Sequence, residues 1–163
     1  MKKIILVTMV PLAFIALLFI SGCGEKTAEK AIETAVGDHA DVDIDGNTVR
    51  VNTNTGSLQT GENVSLPSGF PSDVYVIDGT LKSAMSTNEN QGYTVSITTS
   101  HSISDTKADY ESKLAEDGWT ISMSLTVEDG ASIGATKDNR TTTISIGTDD
   151  GQTMVVIGTS YND

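Results

Sequence analysis

The sequence predicts an α+β domain in which an antiparallel β-meander is covered on one face by one main helix, preceded by a short N-terminal helix and a β-hairpin. Three turns of the same kind, each an aspartate followed by glycine or asparagine, separate segments near 131–137, 141–147 and 152–160. Turns of this chemistry join neighbouring antiparallel strands. A helical pattern over 104–117 interrupts the strand signals, so it predicts a helix across the sheet.

The first 22 residues have the layout of an export signal. Lys2 and Lys3 make a positive start, and the run over 4–20 carries no charged residue. That run is longer than the apolar core of an ordinary signal peptide and slightly shorter than a membrane-spanning helix, so its length fits either. The small residues that follow it favour a cleaved signal peptide over 1–22.

The only cysteine of the chain, Cys23, stands directly after two small residues. The string Ile20-Ser21-Gly22-Cys23 resembles the lipobox of bacterial lipoproteins, with Ile20 in place of the usual leucine. The resemblance implies that the Cys23 thiol receives a diacylglyceryl group and that cleavage makes Cys23 the acylated N-terminus. Two or three acyl chains would then hold the protein on a membrane, because each buried methylene contributes about 0.8 kcal/mol.

The lipobox resemblance also implies a location. An acylated Cys23 predicts an exported chain on the cell membrane or outer membrane, with its domain facing the periplasm or the cell exterior. Gly24 permits transfer to the outer membrane by resemblance to Gram-negative sorting rules. The alternative is an uncleaved anchor with an incidental cysteine, which also leaves the rest of the chain outside the cytoplasm.

The chain is strongly acidic, with a formal net charge of −12 at pH 7. An acidic surface repels nucleic-acid phosphates and anionic lipid headgroups, so we expect no nucleic-acid partner. The expected partners are membrane lipid, through the acylated Cys23, and an envelope protein. Since Cys23 is the only cysteine, no intramolecular disulfide can form and the fold must depend on its apolar core.

Composition divides the chain after the signal into a 23–37 anchor-proximal helix, a 38–60 hairpin region, a 61–72 loop or linker, and a 73–163 main α+β domain. In the first region, apolar residues recur at helical spacing from Glu25 to Val36, and glycine follows where helices end. Glutamates on its polar face disfavour anionic lipids, so we expect this helix to pack on the domain.

An Asp-Val-Asp-Ile-Asp-Gly string matches the first half of an EF-hand calcium loop, with acids at Asp41, Asp43 and Asp45. The second half fails, because Asn52 stands where the loop needs a bidentate carboxylate. A hairpin explains the string better, with its turn at Asp45-Gly46 and alternating apolar residues on its two arms: Val42 and Ile44, then Val49 and Val51. A weak calcium site at the three aspartates stays open, and we assign no metal ligand.

The stretch over 53–72 is rich in threonine, serine, asparagine and glycine and contains Pro67 and Pro71. This composition predicts a surface loop. Its apolar residues give it points of attachment, so we expect it to be docked on the domain: Leu58, Val64, Leu66 and Phe70.

The main domain opens with candidate strands at 74–77, 81–87 and 93–99. The helix over 104–117 follows, with Ser102 or Ser104 as N-cap. It ends at Asp117-Gly118, and its expected inward stripe is Ala108, Tyr110, Leu114 and Ala115. Trp119 then opens a strand whose alternating apolar residues are expected on one face: Ile121, Met123, Leu125 and Val127.

Part of this domain resembles a recurrent pattern of uncharacterised bacterial lipoproteins and secreted proteins. The residues that carry it are Asp73, Val74 and Tyr75, then Gly92 and Tyr93, then Tyr110, Leu114, Gly118 and Trp119. The resemblance implies a small sheet with a helix across one face and no known reaction. Packing accounts for the same residues, because Tyr110 and Leu114 lie one helical turn apart and Trp119 can close the edge of the core.

A search for catalytic residues mostly eliminates candidates. Ser132 lies in a Gly-Ala-Ser-Ile-Gly string that formally matches a nucleophile elbow, but a hairpin turn precedes it and no histidine follows it. His39 and His101 are the only histidines, and neither stands in a ligand-like cluster. We therefore assign no catalytic, cofactor-binding or metal-binding residue, and Cys23 is the single modification site.

These observations predict a membrane-anchored envelope lipoprotein that is not an enzyme and that acts as a binding or structural module. The binding region is expected on the open face of the sheet or on the loop around Phe70. The alternative is a carrier that holds a small apolar ligand or lipid between helix and sheet. A hydrolase is a minor third interpretation.

Overall fold

The structure is a computed structural model, and it describes residues 29–30, 40–88 and 91–162. Cys23 and His39 lie outside these residues, as does most of the N-terminal helix that the sequence predicts. Glu29 and Lys30, which belong to that stretch, are helical. None of the helical segments in the described ranges has the length and hydropathy needed to cross a membrane.

Nine strands and one helix make up the described fold. In chain order they are β1 (Asp41–Asp45), β2 (Thr48–Thr53), β3 (Gly56–Gly61), β4 (Thr80–Thr87), β5 (Gly92–Thr99), α1 (Ile103–Glu116), β6 (Thr120–Val127), β7 (Gly130–Lys137), β8 (Arg140–Asp149) and β9 (Gln152–Tyr161). The strands form one continuous antiparallel sheet in the order β1-β2-β3-β4-β5-β9-β8-β7-β6. After β5, α1 carries the chain from the middle of the sheet to its far edge, and the last four strands return to pair with β5.

The predicted α+β class is wrong, because the fold contains far more strand than helix. Strands take 56% of the described residues and helix 13%, so the described fold is one large sheet with a single packed helix. The hairpin of β1 and β2 also belongs to this sheet, because β3 joins it to β4. Sequence reasoning missed β3 because its residues are mostly threonine, serine and glycine. Hydroxyl contacts between strands support it, such as that between Ser57 and Ser86 at 2.8 Å.

The hairpin pairing itself is confirmed, with Val42 opposite Val51 and Ile44 opposite Val49. Its turn lies one residue later than predicted, at Gly46-Asn47, where Gly46 has a φ of 57°. This left-handed backbone favours glycine because a Cβ would be strained there.

Residues 74–77 were predicted as a strand and are irregular. They belong to a longer stretch, residues 62–79, which we call the docked segment. Val74 and Ile77 are buried in the core, while Val64 and Phe70 pack against it. The predicted docking of the 53–72 loop is confirmed at Val64 and Phe70 but not at the other two attachment points, because Leu58 lies in β3 and Leu66 is 40% exposed. The apolar run at 74–77 is explained by docking rather than by strand pairing.

The helix agrees closely with its prediction. The Ser102 hydroxyl accepts a hydrogen bond from the Asp105 amide, as an N-cap does, and the helix ends at Asp117 before Gly118, whose φ is 81°. The predicted inward stripe is half right. Tyr110 and Leu114 are buried together with Thr106, whereas Ala108 and Ala115 are exposed.

One face of the sheet carries the core, and we call it the inner face. Helix α1 and the docked segment cover this face side by side. The sheet contributes fully buried aliphatic side chains from its central strands: Val95, Ile97, Ile133, Ile144, Val155 and Ile157. The opposite, outer face is left free of α1 and of the docked segment.

The strand after Trp119 does not keep its apolar residues on one face. A β-bulge at Ser122 shifts the register, so that Ile121 lies opposite Ala135 and packs against the core, whereas Met123 lies opposite Gly134. Because a bulge adds one residue to one strand, every later side chain changes face. Met123, Leu125 and Val127 therefore lie on the outer face, exposed.

Candidate binding surface on the outer face of the sheet

A row of directly paired residues crosses the outer face through all nine strands. Paired residues in an antiparallel sheet point to the same side, so the row defines this face. From one edge to the other it reads Val42, Val51, Leu58, Met85, Thr94, Gly158, Thr143, Gly134 and Met123. The residues at both ends of the row are apolar, and those in the middle are glycine or threonine.

The middle of this face holds an open trough of about 300 Å³. Its floor contains Gly158, and also Gly92, where the Thr87 hydroxyl already occupies the space that a Cβ would take. A Cβ added to Gly158 would meet no atom within 4 Å, so that space is empty rather than occupied by a neighbour. Side chains from the adjacent strands stand around it, including Met85, Thr94 and Thr143.

The lining of the trough is uncharged and combines hydroxyl groups with a larger share of apolar surface. It consists of Met85, Thr87, Gly92, Tyr93, Thr94, Thr141, Thr143, Gly158, Thr159 and Ser160. A threonine or serine hydroxyl can both donate and accept hydrogen bonds. The trough therefore suits a ligand that presents neutral donors and acceptors, and it offers no counter-charge to an ion.

A second, smaller cleft of about 180 Å³ lies between the β2–β3 hairpin and the docked segment. Arg50, Gln59, Leu66 and Pro67 are among its lining residues. Its polar groups are largely engaged within the chain. The Gln59 side chain accepts from the Ser65 amide, and the Arg50 guanidinium donates to Asp43 at 3.2 Å.

The space between α1 and the sheet, where a carrier would hold its ligand, is filled by side chains. Tyr110 and Leu114 are fully buried there against the aliphatic residues of the inner face. The Tyr110 hydroxyl accepts a hydrogen bond from the Ile77 amide at 3.3 Å, and burial raises the pKa of this phenol. Thr106 is also fully buried, and within the described part of the chain its hydroxyl has no hydrogen-bond partner.

Two residues of the lipoprotein-like pattern, Asp73 and Trp119, meet where the docked segment is fastened to the sheet. The Asp73 carboxylate accepts from both terminal nitrogens of Arg140, at 2.7 and 2.6 Å, and from Lys137 at 2.7 Å. The Trp119 indole donates to the Asp73 carbonyl at 2.7 Å, and the Arg140 guanidinium lies 5.0 Å from the Trp119 ring centroid. The Arg140 hydrogen bonds are the largest cause that holds the pKa of Asp73 well below its usual value. With its acceptors used in this way, the carboxylate ties the docked segment to the β7–β8 hairpin.

The other residues singled out in the sequence are not brought together. Asp41, Asp43 and Asp45 are alternate residues of the extended strand β1 rather than of a loop that wraps an ion. Across the described ranges, no group of three or more histidine, cysteine, aspartate or glutamate side chains is arranged to hold a metal ion. Ser132 lies within β7 opposite Leu125, not at a strand-to-helix turn, and His101 lies 3.5 Å from Asp109 of the helix.

Sequence reasoning named the open face as a binding region but missed its residues. Thr94, Thr143 and Gly158 were absent from the candidates, because a hydroxyl or a glycine in a strand is unremarkable until its neighbours are known. The alternation of buried aliphatic and small polar residues in β5, β8 and β9 is the signal that could have found them.

The comparison with known families adds one match. Residues 81–153 match the model of an uncharacterised family described as START domain-like. The match runs from β4 through α1 to the start of β9, which is less than half of the chain, and it includes Met85, Thr94 and Thr143 of the trough. No curated protein and no solved structure matches the chain. The chain is therefore similar to this START domain-like family over residues 81–153. The family description is compatible with ligand binding and specifies no ligand.

Proposed function

We propose that this protein is an exported, lipid-anchored, non-enzymatic binding module, and that the trough on the outer face holds its ligand. The observation that carries the proposal is the glycine floor between uncharged hydroxyl walls, formed by Gly158 with Thr94 and Thr143. The START domain-like match supports a ligand-binding role, and most of the trough lies within the matched residues.

The chemistry of the lining selects the class of ligand. Sugar hydroxyls are donors and acceptors at once, as are the threonine and serine hydroxyls that face them. The Met85 thioether gives an apolar contact for the C–H face of a sugar ring. An anionic ligand would meet a protein of net charge −12 and no counter-charge in the trough. The ligand is therefore a neutral oligosaccharide.

Gly158→Val tests the site, because its Cβ would meet no atom within 4 Å and its side chain would extend into the trough. Its matched control is Gly147→Val, since a Cβ at Gly147 also meets no atom within 4 Å but Gly147 does not line the trough. Calorimetric titrations of the full chain in detergent would use neutral maltohexaose and chitohexaose, with a hexameric oligogalacturonate as the charged comparison.

We expect a neutral oligosaccharide to bind to the wild type and to Gly147→Val, and binding to be lost in Gly158→Val. The oligogalacturonate should bind to none of the three proteins. Equal binding by both valine variants would contradict the assignment of the trough. Binding of the charged sugar alone would contradict the proposed class of ligand.

The membrane anchor rests on the lipobox resemblance of the sequence around Cys23 and has its own test. Mass spectrometry of the mature protein should find an N-terminal Cys23 that carries acyl groups. An intact Met1 or an unmodified Cys23 thiol would overturn this part of the proposal and leave the trough assignment untouched.

The second candidate function is a carrier for a small apolar ligand between α1 and the sheet, which the START domain-like match favours. The filled core around Tyr110 and Leu114 counts against it, because a ligand would have to displace fully buried side chains. Uptake of a fluorescent fatty acid by the wild type, unchanged in Gly158→Val, would favour the carrier over the trough.

A further inference from the structure

The two edges of the sheet differ sharply in charge. Strand β1 carries three aspartates among its five residues, whereas β6 has no charged residue among its eight. An edge strand presents unpaired backbone groups to any other strand, and charged side chains are a common protection against such pairing. In β1 the Ile44 amide also donates to the Glu29 carboxylate at 3.3 Å. Among the residues that the structure describes, one edge is protected and nothing covers the other.

The open edge also exposes an apolar strip. Met123, Leu125 and Val127 are 48%, 53% and 57% exposed and follow one another on the outer face of β6. Large apolar side chains on an uncharged edge strand mark either an aggregation hazard or an interaction surface.

The sequence of β6 is complementary to itself in the antiparallel direction. With a two-fold axis at Leu125, each Leu125 lies opposite its counterpart and each Met123 lies opposite Val127 of the second copy. In the same register Ser124 meets Thr126, so apolar residues meet apolar ones and hydroxyls meet hydroxyls. Cross-strand pairs of these kinds stabilise a sheet. A symmetric interface of this sort uses the same patch on both copies.

We propose that β6 binds β6 of a second copy of this chain, antiparallel and centred on Leu125, and so joins two nine-stranded sheets into one. The charge distribution favours this occupant. Two chains of net charge −12 repel each other, and β6 is an uncharged strip along which they can meet. The uncharged strip ends at Glu128 and Asp129, which follow Val127 in the β6–β7 turn. On the helix side, Glu111 accepts from Ser124 and is paired with Lys107 at 2.7 Å, so that flank adds no net charge.

The pairing is expected to be reversible. It uses one strand from each copy, which is small beside the roughly 1,600 Å² of a standard interface. A crosslinking experiment in membranes captures such a contact, and the full chain expressed in a bacterial host supplies the material. The wild type, whose only cysteine is Cys23, gives the background.

Leu125→Cys is the test variant, because residues at the two-fold axis face each other at a distance that a disulfide or a short bis-maleimide can bridge. Ser145→Cys is its matched control, since Ser145 is exposed on the same face, two strands away from the edge. Co-expressed Met123→Cys and Val127→Cys chains with different tags test the register.

Leu125→Cys is expected to give a crosslinked band at twice the mass of the chain, with no such band for Ser145→Cys or the wild type. Met123→Cys should crosslink to Val127→Cys more than to itself. Equal dimer formation by Ser145→Cys would overturn the proposal. A Leu125→Cys adduct of another mass would identify a different protein partner, and a monomer would show a free or otherwise covered edge. Either result would equally overturn it.

Discussion

Thr106 is a buried polar side chain that the fold leaves unsatisfied. Thr106 lies on the buried face of α1 at 0% exposure, and its hydroxyl has no hydrogen-bond partner in the described part of the chain. A buried hydroxyl without a partner costs free energy that an apolar group of the same shape does not. Thr106→Val should therefore raise the free energy of unfolding by about 1 kcal/mol, measured by denaturant titration.

Thr142→Val is the control for that change. Thr142 is equally buried, but its hydroxyl donates to the Gly158 carbonyl at 3.1 Å. The same substitution there should lower the free energy of unfolding, because it removes a hydrogen bond that is made. If Thr106→Val destabilised the protein as Thr142→Val does, the Thr106 hydroxyl would have a partner in solution.

Single residues with strong local chemistry could be predicted from the sequence. Ser102 is one of the two predicted N-caps, and Tyr110 and Leu114 are the two residues of the predicted stripe that the helix buries. The sequence predicts Ala108 as buried in place of Thr106. Helical spacing gives the repeat of the buried residues, but the buried face was located by its apolar residues, and threonine is not one of them. A buried threonine carries no signal in its own residue type.

At the scale of elements, the docked segment depends on Asp73. Its carboxylate bonds with Arg140 and Lys137 of the β7–β8 hairpin, and its carbonyl accepts from Trp119. Asp73→Asn should lower the free energy of unfolding at pH 7 by about 2 kcal/mol, because it weakens charge-assisted hydrogen bonds and leaves Arg140 without a counter-ion. Asp78→Asn, at an exposed aspartate of the same segment, should change it little.

The same aspartate gives the stability a defined pH dependence. The pKa of Asp73 is lower in the folded protein than in the unfolded chain, so the unfolded chain binds more protons as the pH falls. Its contribution is fully present above about pH 4, the ordinary value for aspartate, and is lost below it. The difference in stability between wild type and Asp73→Asn should therefore shrink below about pH 4 in urea titrations. A difference that stayed constant down to pH 2 would contradict the ion pairing.

Elements with a regular hydrophobic spacing could be predicted from the sequence, whereas elements that depend on the strand beside them could not. The helix and the strands β7, β8 and β9 follow from spacing and from aspartate-containing turns. Strand β3 and the bulge at Ser122 do not, because each depends on which strand lies alongside. The bulge matters most, since it moves Met123, Leu125 and Val127 from the core side to the surface.

Over the whole molecule, the two faces of one sheet have different roles. The inner face is covered by α1 and the docked segment and forms the core, whereas the outer face carries the trough around Gly158. The sequence predicted a sheet with a helix on one face, but not the extent of the sheet or the trough. Both depend on pairing between distant strands, such as β5 with β9.

We propose that the ligand binds to the outer face of the sheet and not between helix and sheet. The most direct measurement is a titration of the isotope-labelled full chain with neutral maltohexaose and chitohexaose, followed by amide chemical shifts. One of these sugars should shift the amides of Thr94, Thr143 and Gly158 and leave those of Tyr110 and Leu114 unchanged. Shifts confined to Tyr110 and Leu114, or no shifts with either sugar, would contradict it.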